Sequence, residues 1–370
     1  MSKAAELAAL IGSQTALSNR NLIINGAMQV DQRNSGSSVT FDSGGTTSGF
    51  SADRHTFFVL GTGELDLACQ QVSDAPAGFA NSLKVTVSTA ESSGATPAAD
   101  DRASLQMRLE GHSVERLALG TSDAKTFVLS FYVKSSLTGN HGVVLASNVD
   151  RSYPVLYNIA SANTWERKTI VVPGPTDGTW GTDANYGFAI KFGFYTGSSR
   201  DGADQGITGS GTWITNTTAQ GVTNQVQFGG TLNATWQITG IQLEVGEQAT
   251  PFEHRSFGDE LARCQRYFET NYPTGSALGT TMGDSNVYGI SYRATAGSSN
   301  YYAVPLKVKK RSSPTVTIYN GVTGGTGTWR GSGGLDRSIS TGTNSDFFTA
   351  NGVSNNDYIR SAFYAADSEL

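Results

Sequence analysis

The tryptophans and the loop carboxylates are the residues of this chain whose chemistry most invites a ligand. Trp180 and Trp213 are set among Gly, Thr and Asp, and Trp329 follows the Gly-rich run Gly324-Gly325-Thr326-Gly327-Thr328. An exposed indole or phenol offers a flat apolar face to the C–H face of a sugar ring and keeps a polar edge for hydroxyls. Trp180, Trp213 and Trp329, with Tyr288 and Tyr292 of the C-terminal part, are therefore the candidate glycan contacts. Trp236, within Thr235-Trp236-Gln237-Ile238, alternates like a core strand residue instead.

The acids open a second chemistry. Two carboxylates roughly 5–9.5 Å apart suffice for glycoside cleavage, and Glu110, Glu166, Asp177, Asp183, Asp201, Asp204 and Glu244 are the acids that would supply such a pair. Spacing along the chain does not say which two converge. Asp201-Gly202-Ala203-Asp204 and the loop from Asp177 to Asp183 also offer hard oxygen ligands to calcium, although neither follows the EF-hand pattern. The metal set therefore stays open, and no motif requires a cofactor. His55, His112, His141 and His254 are isolated, and Cys69 and Cys264 lie far apart without a C-x-x-C. That argues against a zinc site and a disulfide scaffold. There is no G-x-S-x-G elbow, H-E-x-x-H or Walker loop, and no helix follows the Gly324–Gly327 run to cradle a phosphate. The chain reads as a non-enzyme, with glycoside hydrolysis as the residual catalytic alternative.

Charge narrows the partners. Lys and Arg number 26 against 31 Asp and Glu, a net of −5, and charged residues make up 15% of the chain, well below the roughly 25% of ordinary soluble proteins. Without a basic surface the phosphate term that dominates nucleic-acid affinity has nothing to act through, so no nucleic-acid partner is expected. The one basic cluster, Leu306-Lys307-Val308-Lys309-Lys310-Arg311, alternates apolar and charged residues and reads as an edge strand guarded by lysines. No apolar run approaches the roughly 20 residues that cross a bilayer. Met1–Glu6 lacks the apolar core of a signal peptide. Neither membrane insertion nor secretion through a leader is expected.

The elements that must position these side chains are short strands. Apolar or alternating runs recur at Phe57–Leu60, Leu65–Val72, Leu83–Val87, Leu105–Leu109, Phe127–Val133, Val143–Leu145, Lys168–Val172, Phe188–Phe194, Val226–Phe228 and Trp236–Val245. Gly, Ser, Asp and Asn break them, and no helix intervenes, which is the pattern of an all-β sandwich or barrel. Residues 21–255 are expected to form one large jelly-roll-like β-sandwich. Ahead of it, in residues 1–20, Ala4, Leu7, Ala8 and Ile11 fall at helical spacing, and Leu7 and Ile11 are the apolar contacts of an N-terminal anchor helix. After it, Ser256 precedes Asp259 and Glu260 in a near capping box. Phe257, Leu261, Cys264 and Phe268 then recur as one helical stripe, so residues 256–270 read as a connecting or neck helix. That stripe suits a hinge between two β-domains or a seam where three chains meet. Residues 271–370 are again β, with runs at Val287–Tyr292, Tyr301–Val308, Thr315–Tyr319 and Phe347–Thr349.

Five strings carry a resemblance when taken together: Asn19-Arg20-Asn21-Leu22-Ile23-Ile24-Asn25-Gly26-Ala27-Met28-Gln29-Val30, Ser51-Ala52-Asp53-Arg54-His55-Thr56-Phe57-Phe58, Phe127 through Ser135, Ile238 through Glu253, and Glu260-Leu261-Ala262-Arg263-Cys264-Gln265-Arg266-Tyr267-Phe268. In this order the chain resembles tail-fibre and appendage proteins of tailed bacteriophages that carry a carbohydrate-binding-module-like jelly roll. The likeness extends through Pro305-Leu306-Lys307, Ser313-Pro314-Thr315 and the acidic end Asp367-Ser368-Glu369-Leu370. Similar proteins often have Trp where His55 stands, a packing change. The resemblance implies a homotrimer on the virion, made in the host bacterial cytoplasm and held to tail or baseplate proteins. It also implies attachment to host surface polysaccharide, and it supplies no catalytic residue. With it, residues 1–20 become the anchor, Phe257, Leu261, Cys264 and Phe268 the trimer seam, and residues 271–370 the distal tip. A purely structural head-fibre, decoration, baseplate or collar role is the alternative. A polysaccharide depolymerase is a second, disfavoured because the repeats of a long β-helix are absent.

Overall fold

The computed structural model describes residues 19–42, 44, 47–61, 63–201, 211–215, 218–283, 292–293, 301–331, 334–351 and 358–370. The protein is all-β; among the described residues only Gly111–Val114 and Phe257–Gln265 are α-helical. Two compact units emerge, one of Met1–Gln29, Ser38–Arg255 and Leu370, the other of Val30–Ser37 and Ser256–Glu369.

The first unit is a two-sheet sandwich. Its strands are β1 (Val39–Asp42), β2 (Ser48–Phe50), β3 (Thr56–Leu60), β4 (Asp66–Val72), β5 (Ser82–Thr89), β6 (Arg102–Glu110), β7 (Phe127–Ser135), β8 (Gly139–Ser147), β9 (Arg151–Ile159), β10 (Glu166–Val172), β11 (Tyr186–Thr196), β12 (Ile214–Thr215) and β13 (Thr235–Val245). A six-stranded sheet runs β1-β4-β5-β13-β7-β10, and a seven-stranded sheet runs β12-β9-β8-β11-β6-β3-β2. All their pairings are antiparallel.

Period-two alternation sends one face of each strand into a shared core. From β7 come Phe127, Leu129, Phe131 and Val133, and from β11 come Phe188, Ile190, Phe192 and Phe194. Phe131 meets Phe192 edge-on at 5.1 Å, and Phe194 meets Trp236 edge-on at 5.0 Å. Trp236 is fully buried and its Nε1 donates to the Tyr157 hydroxyl at 3.2 Å. On β13 both Ile238 and Ile241 face the core despite their odd spacing. A register shift against β7 between Thr239 and Gln242 resets the alternation, and Gly240 sits inside it at φ +63°, a conformation that favours glycine.

The second unit adds β14 (Phe268–Thr270), β15 (Tyr292–Arg293), β16 (Tyr301–Pro305), β17 (Thr315–Asn320), β18 (Thr328–Gly331), β19 (Asp336–Ser338), β20 (Ser340–Thr343), β21 (Phe347–Asn351) and β22 (Tyr358–Asp367). β22 is the hub, pairing with β14, β15, β17 and β18. β16, β21 and β20 form a separate three-stranded sheet. A small core gathers Leu306, Ile318, Trp329, Phe348, Ala350, Ala362, Tyr364 and Ala366.

Three expectations need correction here. The helix after Ser256 stops at Gln265, and Phe268 opens β14, so residues 256–270 are not one helix. Ser256 does cap it: its Oγ accepts the Asp259 N–H at 3.2 Å. Cys264 and Phe268 are buried within their own unit, Leu261 is half-buried, and only Phe257, 50% exposed, faces outward. Two of the four stripe residues thus cannot contribute to a seam between chains. The basic cluster is not an edge strand either, because Lys310 turns inward. Its ammonium donates to Glu269 Oε2 at 2.5 Å and to the Gln265 carbonyl, with neither side chain of the ion pair exposed.

Candidate functional site

The outward face of the seven-stranded sheet carries an open groove of about 330 Å³. Its floor follows from register. Gln106 on β6 stands between Thr56 on β3 and Lys191 on β11, and Lys191 in turn stands opposite Val144 on β8. Because Leu105, Met107, Ile190 and Phe192 occupy the core face, alternation forces Gln106, Arg108 and Lys191 outward. Phe58 and Leu60 extend the floor on β3, and Arg102 lies farther along β6.

One wall is Thr218 and Gln220, of the segment 218–222, together with Arg200. This segment lies against the sheet because β11 has no side chain at Gly193. A Cβ there would stand 2.8 Å from the Gln220 carbonyl oxygen and 2.8 Å from Gly221 Cα, closer than carbon atoms tolerate. Next to the groove, Val144, Ala146, Ala219 and Val222 form a small apolar cluster that fastens the segment down.

The groove's polar groups form a chain. Gln106 Nε2 donates to Gln220 Oε1 at 2.5 Å and to Ser104 Oγ at 3.1 Å, and Arg108 Nη2 donates to Gln106 Oε1 at 3.4 Å. The Arg108 guanidinium lies 5.0 Å from the Phe58 ring and 5.2 Å from the Tyr186 ring. Its Nη1 donates to a carboxylate oxygen of Leu370 at 2.8 Å, while its Nε is buried without a partner. Arg200 pairs with Asp100 at 3.0 Å. Burial lowers the Lys191 ammonium to about 8, with the Arg108 and Arg102 charges adding to the shift. Burial also pushes the Tyr186 phenol up to about 12, against the pull of Arg108.

The second unit has a larger cleft, about 560 Å³, lined by Arg33, Phe268, Arg311, Tyr319, Asp367 and Glu369 among others. Its cations are already engaged. Arg33 pairs with Asp367 at 3.0 Å and Glu369 at 3.4 Å, and stacks on Phe268 at 3.6 Å. Arg311 donates to the Ser368 and Glu369 carbonyls. This cleft is held together by its own charges, whereas in the sandwich groove the Lys191 ammonium bonds only a backbone carbonyl.

The residues singled out by type fall in several places. Trp180 and Trp213 come together edge-on at 5.5 Å, both half-buried. Their N–H groups are spent on the Asp177 and Pro173 carbonyls at 3.1 and 2.7 Å. Trp329 is not a loop platform: it stands on β18 in the small core, 1% exposed. Leu7, Ile11 and Tyr288 lie outside the described residues, as do Asp204 and the Tyr292 side chain, while the Tyr292 backbone belongs to β15. Four of the candidate acids are engaged by neighbouring side chains. Glu166 bonds Lys168 at 2.5 Å, Asp177 bonds Arg151 at 2.8 Å, and Asp183 bonds the Asn185 side chain at 2.6 Å. Glu244 is buried on Thr250 and Gln242. Among the described residues no three His, Cys, Asp or Glu side chains gather as a metal site.

The groove residues were missed because no spacing links them; they come from three strands and a loop. One signal was present: Lys191 interrupts Phe188-Ala189-Ile190-Lys191-Phe192 with a charge inside an otherwise apolar strand.

No protein-family model matches the chain, and no curated protein matches it. Among solved structures, it is similar to the enzymatically active domain of tailspike protein 4 of bacteriophage CBA120, at 13% identity and a TM-score of 0.30. The alignment covers 61% of this chain and 22% of that one, so this chain spans about a fifth of the tailspike's length. It is similar to the family 11 carbohydrate-binding module of the cellulase Lic26A-Cel5E of Clostridium thermocellum, at 14% identity and a TM-score of 0.26, over 58% of this chain and 98% of that one. The N-terminal cellulose-binding domain of Cellulomonas fimi β-1,4-glucanase C aligns at 11% identity and a TM-score of 0.26, over 48% and 87%.

Proposed function

We propose that this chain is an attachment protein of a tailed-bacteriophage virion whose sandwich holds a host cell-surface glycan in the groove on its seven-stranded sheet. The observation that carries the reading is the groove itself. It is an open channel on a rigid sheet face, with amides and guanidinium groups placed for hydroxyls and with the Phe58 and Tyr186 rings beside them. That combination suits a polar ligand with apolar C–H faces. The virion setting comes from the sequence resemblance, and with it assembly as a homotrimer held to tail or baseplate proteins through residues 1–20. Binding without cleavage is favoured because the groove's described lining has no carboxylate, and glycoside hydrolysis needs two. The sandwich is favoured over residues 271–370 as the glycan-bearing part, since Trp329 is buried and the cleft of the second unit is internally paired.

The test is binding of the purified full chain to host cells and to a glycan array, beside Thr218→Trp. Thr218 is an exposed wall residue, so the indole plugs the channel and leaves the floor intact. Saturable binding by the parent, reduced at least about tenfold in the variant, is the expected result. Equal binding by both proteins overturns the groove assignment.

A further inference from the structure

The glycan reading leaves one feature of the groove unexplained, its unanswered charge. Lys191 is only 4% exposed, and its ammonium makes one hydrogen bond, to the Ala219 carbonyl at 3.1 Å. An ammonium has three donors, and a buried charge without a counterion is costly to the fold. Among the described residues no carboxylate lines the groove beside Lys191, although β6 ends on Glu110 and Arg108 meets the Leu370 carboxylate. β6 brings Arg102, Arg108 and neutral Gln106; β3 brings Thr56, Phe58 and Leu60; β8 brings Val144 and Ala146. On the wall Arg200 pairs with Asp100, whose charge also reaches Arg102, so Lys191 is the cation of the groove left with a carbonyl alone. The buried Arg108 Nε is also without a partner. All this stands in a chain whose net charge is −5, so the cationic groove runs against the composition around it.

We infer that the groove takes a saccharide bearing an anionic group, a carboxylate or a phosphate, seated at the Lys191 ammonium with Arg102 and Arg108 of the adjacent strand beside it. The inference rests on the glycan reading and names the class of sugar. The anion supplies the counterion that the fold withholds, and its charge-assisted hydrogen bonds are the strong kind. The remaining groups that face Lys191 are arginines and the Tyr186 phenol, which burial keeps protonated to about 12. Lys191, lowered to about 8, is thus the group that changes charge just above neutrality. A bound anion holds its proton on, so the complex takes up a proton above that point.

The experiment uses the full chain on an array of neutral, uronic-acid and phosphorylated glycans. Each acidic glycan is paired with its carboxyl-reduced or dephosphorylated counterpart, and duplex DNA serves as a competitor. Acidic members are expected to bind, and neutralised counterparts to lose about tenfold or more. Lys191→Met is expected to lose acidic binding to the same extent, while its thermal midpoint does not fall, the opposite of what a purely structural lysine shows. Lys191→Arg keeps the charge and retains binding. Affinity of the parent drops by about tenfold between neutral pH and about pH 10. Equal binding of acidic and neutralised partners, or an unchanged Lys191→Met, overturns the anion and leaves the glycan reading standing. No binding to any glycan overturns both. Duplex DNA competing as strongly as an acidic glycan overturns the saccharide in favour of a general phosphate site. Should Lys191→Met fail to fold, Arg102→Gln on the rim reads the same charge: a several-fold loss of acidic binding supports the inference, and no change overturns it.

Discussion

The Glu253 carboxylate accepts the backbone N–H of Asn21 at 2.9 Å, and also that of Asn19 at 2.7 Å, across more than two hundred residues of sequence. Asn21 turns the same contact into a lock. Its Oδ1 accepts from Ile23 N–H at 2.9 Å and Leu243 N–H at 3.1 Å, and its Nδ2 donates to the Ile241 carbonyl at 3.1 Å. The entry of the chain into the sandwich and its exit from it are thus tied at one point.

This lock makes stability acid-sensitive. Burial alone would raise the Glu253 carboxyl, but the N–H groups of Asn21 and Asn19, the Arg255 charge and the Arg20 N–H outweigh it and hold the group below its ordinary value. A depressed carboxyl adds stability that is fully present above its unfolded-state value and is lost as pH falls through the folded-state value. Glu253→Gln is expected to cost about 2 kcal/mol at neutral pH and to flatten the acid limb of stability against pH. Urea melts from neutral pH down to about pH 3 measure both.

At Gly26 the two ends approach too closely for any side chain. Ile241 N–H donates to the Gly26 carbonyl at 2.9 Å, and a Cβ on Gly26 would stand 2.2 Å from the Ile241 carbonyl oxygen. Gly26→Ala must push the entry segment off β13, at a cost of about 2–3 kcal/mol. A lowered denaturation midpoint with an unchanged slope is the expected signature.

Within the second unit, Glu269 accepts from Lys310 at 2.5 Å, from the Tyr364 hydroxyl at 2.7 Å and from the Lys307 N–H at 3.0 Å. Removing one member strands the other charge in the interior. Lys310→Met alone is expected to destabilise this unit by about 3–5 kcal/mol, and the double change Lys310→Met with Glu269→Met to recover much of that. A double-mutant cycle by calorimetry gives the coupling directly. Additive effects would show that the pair contributes nothing as a pair.

Both cysteines are free and fully buried, and burial raises the Cys69 thiol well above its ordinary value. A thiol-exchange reagent should therefore label neither in the native protein and both after denaturation, since the thiolate is the reactive form. Rapid native labelling of Cys264 would mean that the helix Phe257–Gln265 opens locally.

The sandwich was legible because its strands repeat a strong pattern; Phe127–Val133 and Phe188–Phe194 announce their inward faces outright. β9 was overlooked because Pro154 lies within it, and proline cannot donate to a ladder. It is tolerated where β12 covers only Arg151 and Ser152 on the outer side. β22 was overlooked because Ala362, Ala365 and Ala366 lack strand propensity, yet small residues suit a strand buried among several partners. The strings that carried the family resemblance hold the lock at Asn21 and Glu253, which is architecture rather than ligand contact. The groove was not legible, because Arg102, Arg108, Lys191 and Arg200 meet through strand register and a close approach at Gly193. Tryptophans drew attention through size, and Trp329 shows how a Gly-rich neighbourhood can border a core strand.

That close approach at Gly193 divides the groove into two parts that change at different cost. The floor is fixed by ladder hydrogen bonds, and altering it means re-registering strands that also build the core. The wall is a strap resting on bare backbone, and replacing its exposed Thr218 disturbs no strand, whereas Gln220 also holds Gln106 and Ser104 of β6. A lineage of such proteins therefore has an inexpensive dial for preference and a costly one for affinity. Diversity among close relatives should concentrate in the strap while Gly193 stays fixed beneath it.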